Sequence, residues 1–537
     1  MMNLQYTGKS LGRWGSLAFV VALLLGGWLR FEQLGVKPLH HDESVNGWFM
    51  LSLSHEGQYR YNPDNYHGPS LYYLTLVPLR LLGESEAALR SVPAVCGLLT
   101  IAMLWLLRRR LGRVGTPVAA LLMASSAGLV YYSRDFIHEM LFGCLSLGIV
   151  AGAVRYYDER RFRWIVLGAV SLALLVATKE TAMVTGGVLI LASGCAWLWE
   201  TIRARRLLNP GHDPSWSPSL ERRPSVDHGL AALVIFLFIN LILYSSFFTN
   251  GAGVADALRS PWRWTLRSGS EHVKEFWYYA ALLLKLELPI LLGAVGGGLL
   301  ILWRGTRFWL FVGAWACGMF LAYSLIGYKT PWLIVNMLIP MALLGGHAVE
   351  RLVEWSASPL WRALLLLPIL AGLTYGAWLT RELNLIHHDD NLNRQGYFAD
   401  LARTISRDNL NPFINEQVGY VYAQTDRDFL NLVKLIESET DPAGVKNTIY
   451  VAAPEYWPLP WYLRDYTVDF SGHLPDFDGS GNPALQHRLI IANTDQIHAF
   501  SEASEFRISP TSYNMRPGVS LVLLVRKLET NQESEIK

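Results

Sequence analysis

Apolar windows long enough to cross a hydrocarbon core, roughly 18 to 22 residues, recur near 14–34, 88–107, 114–133, 138–155, 164–178, 181–199, 229–249, 276–302, 307–326, 331–349 and 361–380. The pattern predicts a multi-pass α-helical membrane protein of about 11 spans. Past residue 380 the period changes, and helix-like stretches (ADLARTISRDNL, DRDFLNLVKLIESE) alternate with strand-like ones (NTIYVAA, HRLIIANT, VSLVLLVRK). The expected organisation is a transmembrane domain over 1–380 and a small soluble α/β domain over 381–537. Lys9 and Arg13 precede the apolar run Leu17 to Leu29 as in a signal peptide, but Trp28, Leu29 and Arg30 offer no small-residue cleavage site. A retained first span is therefore expected.

An odd number of spans puts the termini on opposite sides, and the basic residues choose the side. Loops sharing a side with the N-terminus hold Arg108, Arg109, Arg110 and Arg113, then Arg160, Arg161 and Arg163, then Arg203, Arg205, Arg206, Arg222 and Arg223. The opposite loops are longer and poorer in Lys and Arg. By the positive-inside rule the N-terminus is cytoplasmic and the C-terminal domain lies outside the cell membrane. Two outer segments exceed simple loops. The first, 35–87, has amphipathic stretches at Val45 to Leu53 and Leu71 to Leu82, and the second, 250–275, is rich in Arg and Trp. Both suit the membrane interface.

Composition agrees with this class, with 51% hydrophobic and 17% charged residues. The formal net charge of +2 gives no reason to expect nucleic acid as a partner. Cys96, Cys144, Cys195 and Cys317 all fall in apolar windows and are expected as small buried hydrophobes, not disulfides or metal ligands. The run AVGGGLL (294–300) sits inside an apolar window, which predicts close helix packing in place of a phosphate cradle. No GxGxxG follows a strand, so no nucleotide-binding domain is expected.

The polar chemistry collects in outer loops: HHDES (40–44), YHGPSLYY (66–73), YSRDF (132–136), TKE (178–180) and GYKTPW (327–332). Ionisable residues at a membrane surface call for a reason. Asp42 and Glu43 are the candidate catalytic carboxylates, able to take a proton from an acceptor hydroxyl. Arg134, Lys179 and Lys329, from three separate loops, are the candidates for holding a departing phosphate. Tyr66, His67, Tyr328 and Trp332 are expected to line a substrate pocket, and His41, Asp42 and Glu43 are the candidate ligands should a divalent metal ion be used. Each has a plainer reading. Asp42 can be a solvated loop carboxylate or helix cap, Arg134 can snorkel to headgroups, and Lys179 can pair with Glu180. With no nucleotide fold and an outer site, the consistent donor is a lipid-phosphate-linked sugar.

The strings HDESVNGWF, YHGPSLYY, ESEAALRSVPAVCGLLT, YSRDF, TKE and YKTPWLIVNMLIPMALLGG together resemble the C-type membrane glycosyltransferases related to protein O-mannosyltransferases and the lipid A aminoarabinose transferase. With APEYWPLPWYLRDY (453–466) and NPFINEQVGYVYAQTDRD, nearly the whole chain looks like the flippase-activity-associated membrane proteins. The resemblance implies an inverting transferase with a polyprenyl-phosphate sugar donor, a lipid, glycan or protein acceptor, and Asp42 as base. Glu43 matches the second acidic position of the O-mannosyltransferase pair. The chain lacks their large insertion between central spans. The competing expectation is a non-catalytic factor that binds lipid-linked sugars or assists their flipping. An ion-coupled transporter is disfavoured by the scarcity of polar residues at mid-span, where Lys285 and Glu287 are read as a pair near Pro289.

Overall fold

The computed structural model describes residues 11–63, 67–207, 225–267, 273–356, 358–386, 420, 424–440, 448–474, 487–500, 506–516 and 518–527. They divide into two compact units. The first comprises the chain up to Leu34, residues 52–386 and Tyr420; the second comprises Gly35–Leu51 and the described residues from Gln424 onward.

The first unit is a helical bundle. Its helices are α1 (Gly12–Phe31), the end of α2 (His41–Glu56), α3 (Ser70–Leu82), α4 (Glu86–Leu111), α5 (Gly115–Ser125), α6 (Ala127–Ser133), α7 (Glu139–Glu159), α8 (Phe162–Val176), α9 (Ala182–Leu207), α10 (Val226–Tyr244), α11 (Ala252–Arg267), α12 (Tyr278–Leu286), α13 (Leu288–Arg304), α14 (Arg307–Leu325), α15 (Val335–Trp355) and α16 (Pro359–Arg381). Among the described residues, eight helices are long and apolar enough to cross a membrane singly. Two predicted windows, 114–133 and 276–302, are helix pairs bent by 59° and 110°, and the window at 164–178 is the shorter apolar helix α8. The stretches expected at the membrane interface, 45–53, 71–82 and 250–275, contribute α2, α3 and α11.

A broken helix in an apolar bundle strands backbone N–H groups that lipid cannot satisfy. Glu287 resolves this for the first break while sitting at the second. Its carboxylate accepts from the Gly128 N–H (2.6 Å), the Ser126 hydroxyl (3.0 Å) and the Tyr420 hydroxyl (2.9 Å). The expected pairing of Glu287 with Lys285 gives way to this role at the turn from α5 to α6. The glycine-rich run packs as predicted, for a Cβ at Gly297 of α13 would collide with the Leu344 carbonyl of α15. Cys96 and Cys144 are buried, whereas Cys195 and Cys317 are exposed on their helices. The expectation of burial fails for these two because a membrane helix tolerates a small apolar side chain on its outer face as readily as inside.

The second unit is built on a six-stranded sheet of β1 (Thr448–Val451), β2 (Thr467–Phe470), β3 (Leu489–Asn493), β4 (Phe506–Ile508), β5 (Tyr513–Arg516) and β6 (Val519–Arg526), ordered β2-β1-β3-β6-β4 with β5 pairing β6. β1 runs parallel to β2 and β3, while β6 is antiparallel to β3, β4 and β5. Alternation along the strands feeds two apolar layers. Ile449, Val451, Leu489, Ile491, Leu521 and Leu523 pack with Phe429, Leu432, Val433 and Ile436 of helix α17 (Phe429–Glu439). Tyr450, Ile490, Ala492, Phe506, Val522 and Leu524 form the opposite layer. The mixed α/β layer expected from the sequence is present; the ADLARTISRDNL stretch lies outside the described residues.

Candidate active site

The acidic motif belongs to the second unit. His40 immediately precedes α2, and its backbone N–H donates to Glu43 Oε2 at 3.1 Å while the Glu43 N–H donates to His40 Nδ1 at 3.3 Å. This is the reciprocal geometry of a capping box, with a histidine where Ser or Thr usually stands. Glu43 is fully buried by it. Asp42, in the first turn of the same helix, is only half-buried, and among the described residues no hydrogen bond or ion pair engages its carboxylate. Two adjacent acids alike in the sequence thus differ in kind. His41 faces Trp457 with ring centroids 6.1 Å apart, and burial holds its imidazole below the usual pKa, with nearby Asp42 opposing and Arg516 reinforcing. Among the described residues no three His, Cys, Asp or Glu side chains are grouped to hold a metal ion.

The remaining candidates lie in the first unit. Residues 67–70 pair with 177–179: His67 bridges Lys179, the Gly68 N–H donates to the Thr178 carbonyl (2.9 Å), the Ser70 N–H to the Ala177 carbonyl (3.0 Å), and the Ser70 and Thr178 hydroxyls bond at 2.7 Å. Gly68 is required there, since a Cβ would run into the Ala177 carbonyl. The HGPS string therefore exists to lie against TKE. Lys179 is buried with its Nζ 2.6 Å from Glu139 Oε1. Its partner is Glu139, at the start of α7, a residue that reads in the sequence as the first position of an apolar helix. His138 stacks edge-on against His67 at 4.5 Å. Burial, then the charges of His67 and Lys179, push its pKa well down.

Glu180 is buried, and desolvation raises its carboxyl pKa to about 7 against the opposing pull of Lys179. The sign follows directly. A carboxyl whose folded value lies above its unfolded value of 4.5 contributes its stability below that value and loses it as the pH rises through about 7. Glu180→Gln should therefore flatten the dependence of the thermal midpoint on pH between these limits, which a pH series of melting curves in detergent measures.

Lys329 Nζ donates to the Lys274 carbonyl at 2.9 Å and the Ile326 carbonyl at 2.7 Å, and burial lowers its pKa. These bonds join 273–275 to the 326–329 turn, where Val273 also bridges Tyr328. Tyr328 in turn lies close enough to Lys179 to interact with it electrostatically. Trp332 is buried in the 3-10 turn Pro331–Ile334. Arg134 is placed differently from the two lysines. Its guanidinium donates to the carbonyls of Leu29, Arg30, Glu32 and Gln33, which caps the C-terminal end of α1. His67, Lys179 and Tyr328 are brought together, with His138 and Glu139 as members the sequence reading missed; Tyr66 lies outside the described residues.

The family described as dolichyl-phosphate-mannose-protein mannosyltransferase matches residues 66–211. The crystal structure of ArnT from Cupriavidus metallidurans bound to undecaprenyl phosphate matches with a TM-score of 0.62 at 18% identity, over 95% of this chain and 98% of that one. The oligosaccharyltransferase of Archaeoglobus fulgidus in its apo form matches with a TM-score of 0.54 at 11% identity, over 90% of this chain and 70% of that one. No curated protein sequence matches. Residues 66–211 thus match that mannosyltransferase family, and the chain shares the fold of the ArnT structure along nearly its whole length.

Proposed function

We propose that this protein transfers a sugar from a polyprenyl-phosphate donor to an acceptor hydroxyl at the outer face of the membrane, with inversion at the anomeric carbon. Asp42 takes the proton of the acceptor hydroxyl as its oxygen attacks the anomeric carbon. The bond from that carbon to the phosphate oxygen breaks, and the polyprenyl phosphate leaves as an anion that needs a cation more than a proton.

The observation that carries this reading is the contrast at the start of α2: Glu43 is buried and bonded in the cap, while among the described residues the Asp42 carboxylate is left unengaged and partly open. Lys329 and Lys179 are the cations we assign to the departing phosphate. Among the described residues Lys329 spends two of its three N–H donors on carbonyls, and Lys179 meets a carboxylate with one. Arg134 is assigned to holding the end of α1, because its terminal nitrogens are committed to four carbonyls. The likeness of fold to an ArnT structure that holds undecaprenyl phosphate supports the donor class.

The test is a panel of radiolabelled polyprenyl-phosphate sugars offered to purified protein in liposomes with a membrane extract as acceptor. Release of polyprenyl phosphate and a product of inverted anomeric configuration are expected. Saturable donor binding with no bond broken would favour the non-catalytic factor instead.

A further inference from the structure

Three residues just before α2, Val36, Pro38 and Leu39, are held by side chains about four hundred positions away in the sequence. The Leu39 N–H donates to the Tyr462 hydroxyl at 2.9 Å, and the Thr425 hydroxyl donates to the Leu39 carbonyl at 2.7 Å. Gln424 Nε2 donates to the Pro38 carbonyl at 3.0 Å, and Arg427 reaches the Val36 carbonyl at 3.5 Å. All of these belong to the second unit. Leu39, Gln424 and Thr425 are buried, so the Gln424 and Thr425 bonds are shielded from competing water. Tyr462 itself is anchored, packing edge-on against Phe429 of α17 at 5.3 Å. From this collar the chain passes straight to His40, whose reciprocal bonds with Glu43 fix the first turn of α2 and hence the backbone of Asp42.

Among the described residues no hydrogen bond holds the Asp42 carboxylate from the side, so there its position depends on that backbone. A reacting group displaced by about 1 Å can lose about 100-fold in rate, and a constellation works only when held within about 0.5 Å. We infer that Thr425 and Tyr462, with Gln424, are positioning residues for Asp42, and that the C-terminal α/β unit serves the chemistry by fixing the acidic turn. The inference rests on the reading of Asp42 as base. It gives the string EYWPLPWYLRDY a purpose beyond packing: Trp461 is a buried core residue, but the Tyr462 hydroxyl is spent on the acidic loop.

The experiment compares the full-length wild type with Thr425→Val, Tyr462→Phe, their combination, Thr425→Ser and Asp42→Asn, each also built on Asp42→Asn. Turnover is expressed per folded molecule, with the folded fraction taken from size-exclusion chromatography and melting curves. The double variant is expected to lose about 10- to 100-fold in kcat with KM for the donor changed less than about twofold. Thr425→Ser should retain most of the activity, and on the Asp42→Asn background the collar substitutions should cost nothing further. If the double variant does not fold, the single substitutions carry the same test with smaller losses. Wild-type kcat in folded collar variants, or an equal loss on the Asp42→Asn background, would overturn the positioning role while leaving Asp42 as base. Full activity of Asp42→Asn itself would instead overturn the reading on which the inference rests.

Discussion

Asp42→Asn is expected to reduce turnover by about three orders of magnitude, the middle of the range for loss of a general base, while leaving the protein folded and donor binding nearly unchanged. The expectation of intact folding comes from the structure. The Asp42 carboxylate makes no hydrogen bond among the described residues, and the amide is close to it in size. Glu43→Gln should behave in the opposite sense. It weakens the cap that joins His40 to the first turn of α2, so any loss should accompany a lower melting temperature. Paired kinetics and melting curves for the two variants separate a group that acts on substrate from one that holds a helix start.

The second large effect is expected at Lys179. Its ammonium lies 2.6 Å from Glu139 in a buried pair, so Lys179→Met leaves a buried carboxylate unpaired, with the buried acid Glu180 close by. Breaking such a pair from one side costs about 3 to 5 kcal/mol, whereas replacing both partners by apolar groups of similar volume is often nearly neutral. The prediction is a marked fall in the unfolding midpoint for Lys179→Met and recovery of most of it in Lys179→Met with Glu139→Met. Activity supplies the contrast. If Lys179 also meets the donor phosphate, the stabilised double variant should still show a raised KM for the donor. Recovery of stability and donor affinity together would confine Lys179 to a structural role.

Much of the bundle was legible in the sequence because lipid imposes a length and a polarity that show in a single chain. Every predicted apolar window falls on helix. The breaks were less visible. Ser126 and Glu287 are polar positions within otherwise apolar windows, and nothing in their spacing signals that one carboxylate reaches the broken end of another helix. The acidic motif stands out in the sequence and the resemblance singles out Asp42 as base, but the capping role of Glu43 does not show there. The spacing of His40 and Glu43 is that of a capping box, and only the unusual cap residue hid it. Arg134 shows the limit most clearly. An arginine at a membrane boundary reads equally as a phosphate ligand or a headgroup anchor, and its use on the terminal carbonyls of α1 depends on a contact about one hundred residues distant. Glu139 was missed for a related reason, since an acid opening an apolar helix looks like a complement to the helix dipole and gives no hint of a lysine 40 residues on.

The central claim is that a polyprenyl-phosphate sugar is cleaved through Asp42. The most direct measurement is donor consumption under single-turnover conditions by wild type and Asp42→Asn side by side, in the same liposomes and with the same acceptor extract. The account predicts stoichiometric release of polyprenyl phosphate by the wild type and almost none by the variant, with equal donor binding. Equal cleavage by both proteins, or binding without cleavage by either, would contradict it.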